Sequence, residues 1–126
     1  MFEQNGFDAY QHTVLEARAA SADPHQLVLM LIDGLQDELA RVAGHLQAGR
    51  LDRKGKSIAK CLDILGGLDT ALDIDKGGEV ALQLRQLYDF CGRQLFEVSL
   101  NNDPAGLAVV VQIIGNLREG WQSLAA

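Results

Sequence analysis

Residues 23–49 read DPHQLVLMLIDGLQDELARVAGHLQAG, and this stretch decides the fold. It opens on Asp23-Pro24. An aspartate before a helix accepts hydrogen bonds from first-turn N–H groups, and proline at the first helical position forfeits no helical bond. Leu27, Met30, Leu31, Leu35, Val42 and Leu46 then recur at spacings of three, four and seven, which is one helical face. Gly49 closes the helix. The same opening returns at Asp103-Pro104, followed by Leu107, Val110, Ile114, Leu117, Trp121 and Leu124.

Two further stripes lie between these. Ile58, Cys61, Leu62, Leu65, Leu68 and Leu72 mark a second helix from near Asp52 to near Asp73. Val80, Leu84, Leu87, Tyr88, Cys91, Leu95 and Val98 mark a third from about Glu79, broken by Asn101-Asn102-Asp103. No window alternates polar and apolar residues as a half-buried strand does. The pattern predicts an all-α, antiparallel four-helix bundle. Its helices fall at about 24–48, 52–73, 79–100 and 104–124 of a single domain over 1–126. Phe2, Phe7, Tyr10, Val14 and Leu15 form a weak stripe that predicts a short additional N-terminal helix or arm over 1–21. So short a helix is marginal in water unless it docks on something.

Composition agrees. The chain has 126 residues, 48% of them hydrophobic and only 6% aromatic, so its core is aliphatic. A chain of this length buries a core without disulfide staples. Its formal net charge of -6 argues against nucleic acid as a partner. No apolar run approaches the length of a membrane span, and no secretory signal opens the chain, so no membrane insertion is expected. Cys61 and Cys91 read as reduced thiols of a cytoplasmic protein.

The helices carry more apolar residues than four stripes require. Val28, Leu29 and Ile32 are the surplus of the first helix. Leu82, Phe90, Phe96 and Leu100 are that of the third, and Val109, Val111 and Ile113 that of the fourth. The surplus fits either a thick core or an apolar groove for another protein's helices.

Catalytic and cofactor motifs fail. Gly55-Lys56-Ser57 ends like a P-loop, but Arg50 stands where the first glycine belongs and no strand precedes it. The Glu-x-x-His pair of a di-iron bundle is absent, and His12, His25 and His45 lack metal-ligand spacing. A histidine phosphotransfer bundle is the alternative reading. Its phosphoacceptor would be His45, but the lysine expected beside it is missing and Gly49 ends the helix. No metal, cofactor or enzymatic activity is expected. Arg50, Arg53, Lys54, Lys56 and Lys60 hold five of the eleven basic residues. They read as a solvated face, or as a patch for an acidic partner.

Taken in order, four stretches resemble the FliS family, the cytoplasmic chaperones of flagellin export. These are Ala9-Tyr10-Gln11; Asp23-Pro24-His25-Gln26-Leu27 running to Asp33-Gly34; Leu72-Asp73 through Lys76-Gly77-Gly78-Glu79-Val80-Ala81 and on to Leu87-Tyr88-Asp89-Phe90; and Asn102-Asp103-Pro104 running to Leu117 and Trp121. They span almost the whole chain. Ile32 stands where the family usually has tyrosine, Phe90 where it often has a second aromatic such as tyrosine, and Asp23 where it often has Ser or Thr.

The resemblance implies a bundle that binds the disordered C-terminal region of flagellin and blocks its premature polymerisation. It also implies presentation of the cargo to the flagellar type III export gate, with FlhA as a further partner. Client-binding residues are then expected among Tyr10, Leu27, Met30, Leu31, Ile32, Leu87, Tyr88, Phe90, Leu95, Val110 and Ile114. A homodimer stays open, because exposed grooves also favour self-association. The arm around Tyr10 is read either as a lid over the client surface or as an ordinary docked helix.

Overall fold

The computed structural model describes residues 23–124, so the reading of the 1–21 arm lies outside the described residues. Within them stand four helices and no strand: α1 (Pro24–Ala48), α2 (Leu51–Thr70), α3 (Ile74–Asn101) and α4 (Pro104–Ser123). The expected all-α bundle is therefore found. α1 packs against α2 and α4, and α3 completes the ring between α2 and α4. Connections of two or three residues make sequence neighbours antiparallel.

Three helix starts are aspartate-capped. Asp23 Oδ1 accepts the Gln26 N–H at 2.8 Å, Asp73 Oδ1 that of Lys76 at 3.1 Å, and Asp103 Oδ1 that of Ala105 at 3.0 Å. Each carboxylate also meets the positive end of its helix dipole. α2 begins at Arg50 without a side-chain cap, and α1 stops at Gly49 in the left-handed region, φ 71°.

The boundaries depart from the sequence reading around residues 70–79. α2 ends at Thr70, because Asp73 caps the next helix and does not close this one. α3 begins at Ile74 with one turn, then breaks at Gly78, where φ 55° and ψ -128° suit only a residue without a side chain. At Gly77 a Cβ would come within 2.8 Å of the Ala81 Cβ. The glycine pair thus lets one turn fold back against a helix running from Glu79, the start that the periodicity marks.

The core follows the four stripes. Ile32, Leu35, Leu39 and Val42 of α1 face Ile58, Cys61, Leu65 and Leu68 of α2. Tyr88, Cys91, Leu95 and Val98 of α3 with Leu107, Val110 and Ile114 of α4 complete it. One end of the ring is closed by α1 against α4. His25 donates from Nε2 to the Trp121 carbonyl at 2.7 Å, and the indole Nε1–H donates to the His25 carbonyl at 3.1 Å. The two rings stack at 5.4 Å. At the same seam Arg118 donates to Asp33 Oδ1 at 2.6 Å.

Both cysteines are free and fully buried. Burial alone pushes the Cys91 thiol up to about 11, and burial together with the Glu38 carboxylate pushes Cys61 up to about 12. Only the thiolate attacks a thiol reagent. The native protein is therefore expected to take up no dithionitrobenzoate at neutral pH, and to take up two equivalents on unfolding in urea. Rapid labelling without urea would show that α2 and α3 separate in the native state.

Candidate protein-binding surface

α2 and α3 diverge on their outer side to leave an open groove of about 900 Å³. Leu65 and the nearly covered ring of Tyr88 form its floor, with Leu62 on one wall and Phe96 on the other. Gly92 lines the groove opposite Leu62, where a Cβ would make only an ordinary 3.7 Å contact with Leu62 Cδ2. The rim is charged. Arg85 of α3 reaches across to Asp69 of α2 at 3.1 Å, and Arg93 pairs with Asp89 along α3 at 3.1 Å. Both pairs are largely exposed, so each contributes at most about 1 kcal/mol. Burial raises the Tyr88 hydroxyl to about 12, aided by the nearby Asp69 carboxylate and by Cys91. It is neutral at any physiological pH, and the groove floor carries no charge.

A second, smaller cleft of about 570 Å³ lies between the end of α1 and the start of α4. Leu46, Leu107 and Val111 line it, with Pro104 and Asn102 at its edge. Large apolar side chains are also exposed along α3 and α4. Phe96 is 58% exposed, Leu100 64% and Val80 64%, and Leu82, Phe90, Val109 and Val111 are exposed as well. Scattered exposed leucines are ordinary, but a helix that shows five large apolar side chains to water presents a surface for a partner.

The residues singled out in the sequence are divided by this arrangement. Ile32, Leu95, Val110 and Ile114 are completely buried and Tyr88 almost so. These five are core residues in the free protein, because the stripe that picks them out is the stripe facing the other three helices. Leu27, Met30, Leu31 and Leu87 are half-buried, Leu31 packing where α1 passes close to Gly67 of α2. Phe90 is exposed, and Tyr10 lies outside the described residues. The surplus of α3 and most of that of α4 is on the surface, whereas Val28 and Ile32 of α1 belong to the core. The groove walls Leu62 and Phe96 and the rim residues Arg85 and Arg93 are the additions that the structure makes. Phe96 is already marked by its place off the α3 stripe, while Leu62 sits on the α2 stripe and reads as core.

The basic cluster is divided too. Lys54 is 6% exposed and does not belong to a solvated face. Its Nζ donates to the Ser99 carbonyl at 2.9 Å and to Asn102 Oδ1 at 2.8 Å. It thereby caps the negative end of α3. Arg50, Arg53 and Lys56 stay exposed. His45 accepts at Nδ1 from the Arg50 Nε–H at 3.0 Å.

Among the described residues no group of His, Cys, Asp and Glu is placed to hold a metal ion, and no helix is long and apolar enough to cross a membrane. An apolar groove with a charged rim and a second, uncharged apolar cleft on a four-helix frame define a class, the protein-binding helical bundles. Comparison with known proteins narrows it. The model of the family described as flagellar protein FliS matches residues 6–126. The flagellar secretion chaperone FliS of Salmonella typhimurium is 36% identical over 126 residues, covering 99% of this chain and 93% of the relative. FliSB of Pseudomonas aeruginosa is 32% identical over 125 residues, 99% of each chain. FliS of Bacillus subtilis is 26% identical over 94% of this chain and 85% of its own. The chain belongs to the FliS family, a family of flagellar secretion chaperones and not of enzymes.

Proposed function

We propose that this protein binds the C-terminal segment of flagellin in the cytoplasm, keeps it from polymerising, and passes it to the export gate, where FlhA is the receiving component. The observation that carries the reading is the apolar α2–α3 groove with Phe96 exposed on its wall. A disordered client that folds into amphipathic turns buries its apolar stripe in such a groove, as helices do in other helix-in-groove complexes. Ordering the client costs about 2–5 kcal/mol of the gross interaction energy, so one pocket is not enough. The second cleft beside Leu107 and Val111 and the exposed face of α3 supply the additional contact area. The contact residues proposed are Leu62, Tyr88, Phe90, Phe96 and Val111. The core residues Ile32, Leu95, Val110 and Ile114 act by holding the groove walls in place.

Isothermal titration with a flagellin C-terminal peptide tests the proposal. The expected result is 1:1 binding with a strongly negative heat-capacity change, the mark of buried apolar surface. Absence of binding to the peptide, with the protein folded, would remove the flagellin reading.

A further inference from the structure

The α1–α2 edge carries a feature the apolar grooves do not use. Arg50, Arg53 and Lys56 form an exposed row three residues apart, spanning about 9 Å along α2. No carboxylate among the described residues pairs with any of the three. Lys54 is turned inward onto the end of α3 and takes no part in the row. Arg41 of α1 lies beside the row and is engaged by Glu38 at 2.9 Å. His45 is pushed below the ordinary histidine range by burial first and then by Arg50 and Arg53, which places both guanidinium groups close to the ring. The ring accepts from Arg50 Nε, which leaves both Nη groups of Arg50 without a partner among the described residues. That is the half of a guanidinium that forks a carboxylate. In a chain of net charge -6, so local a concentration of unpaired cations is a recognition surface for an anion.

We propose that Arg50, Arg53 and Lys56 dock the acidic face of a helical segment from a partner protein, with His45 positioning the Arg50 fork. Carboxylates at one-turn intervals on a helix match the row in spacing and in sign. Asp52, between Arg50 and Arg53 in sequence, and Asp63, about two turns beyond Lys56, are exposed acids on the same helix. A narrow line of carboxylates meets only the cations. A planar anionic membrane or a nucleic-acid backbone also meets these acids and is repelled.

The test uses the whole protein and a labelled alanine-based helical peptide carrying one row of glutamates, read by fluorescence anisotropy at low salt. Its all-glutamine counterpart, phosphatidylglycerol vesicles and duplex DNA are the comparison probes. The glutamate peptide is expected to bind and the glutamine peptide not. Affinity should fall by about tenfold or more between low and high salt, because exposed charges are screened. The triple variant Arg50→Gln, Arg53→Gln, Lys56→Gln should lose binding while its thermal melt stays with the parent's. His45→Ala should weaken binding several-fold, whereas Asp52→Asn should not weaken it. Equal binding of both peptides, binding that survives the triple variant, or preference for vesicles or DNA would each overturn the proposal.

Discussion

A protein carrying both Leu62→Asp and Phe96→Asp is expected to fold as the parent does and to bind a flagellin C-terminal peptide about 100- to 1000-fold more weakly. The magnitude follows from where the side chains stand. Leu62 and Phe96 are the opposite apolar walls of the α2–α3 groove, above a floor that carries no charge. A buried anchor in an interface typically carries about 2 kcal/mol or more, and each 1.4 kcal/mol is about tenfold in affinity. Two aspartates remove both walls, and each leaves a carboxylate facing the client's apolar stripe without a partner. Their effects are coupled through one groove, so the loss falls short of the full sum.

The fold should survive because neither side chain is part of the sealed core: Leu62 is 37% and Phe96 58% exposed. Aspartate inside a helix costs only a few tenths of a kcal/mol relative to other ordinary residues. Circular dichroism and the thermal melt check this separately from binding. Phe96→Leu restores an apolar wall and is expected to stay within about tenfold of the parent. Unchanged affinity in the double variant would move the client off this groove, and Val111→Asp in the smaller cleft would then be the decisive substitution.

How far the sequence foretells these positions depends on what each residue faces. Asp23, Asp73 and Asp103 are capping residues by chemistry alone, and two of them are marked by the following proline. α2 has no side-chain cap, so its start is blurred by one residue and its end by three. Leu72 keeps the period of α2 although the helix has ended, and Asp73 looks like a terminus because its role belongs to α3. The four stripes give the core because a stripe records the direction of the bundle axis. They do not tell which second faces remain open. Val28 and Ile32 of α1 lie between two neighbouring helices and are covered, while Phe96 and Leu100 of α3 have the same character and are exposed. That difference is set by the ring order of the helices and by how far α2 and α3 diverge, neither of which is written in the spacing of one segment. Lys54 is an instructive intermediate. Its spacing to Ile58, Cys61, Leu65 and Leu68 puts it on the buried stripe, but its charge puts it among the solvated cations. The position wins, because the end of α3 offers the ammonium group two acceptors.

Replacing Lys54 should accordingly be the most damaging change available to the basic cluster. Lys54→Met is expected to lower the unfolding free energy by about 2 kcal/mol and Lys54→Ala by about 3 kcal/mol. Methionine keeps the length and the apolar stem, so the smaller figure isolates the ammonium group. Its loss leaves the Ser99 carbonyl and Asn102 Oδ1 without their donor at 2.9 and 2.8 Å, and removes the cation from the negative end of a 28-residue helix. Alanine adds the empty volume of the stem beside Ser57 and Ile58, which are themselves buried. Urea titration followed by the fluorescence of Trp121 measures both, since it is the one tryptophan of the chain. The midpoint should fall with the slope unchanged, because the surface exposed on unfolding is the same. Asn102→Gly keeps the left-handed cap, φ 52°, while deleting one of the two acceptors. Combined with Lys54→Met it should cost less than the sum of the two changes, with a coupling near 1 kcal/mol. Buried charges elsewhere have been replaced by apolar residues without loss, where the charge was poorly matched. If Lys54→Met proves neutral or stabilising, the capping of α3 by this lysine contributes nothing, and α2 and α3 are held together by the apolar seam and the exposed Arg85–Asp69 pair.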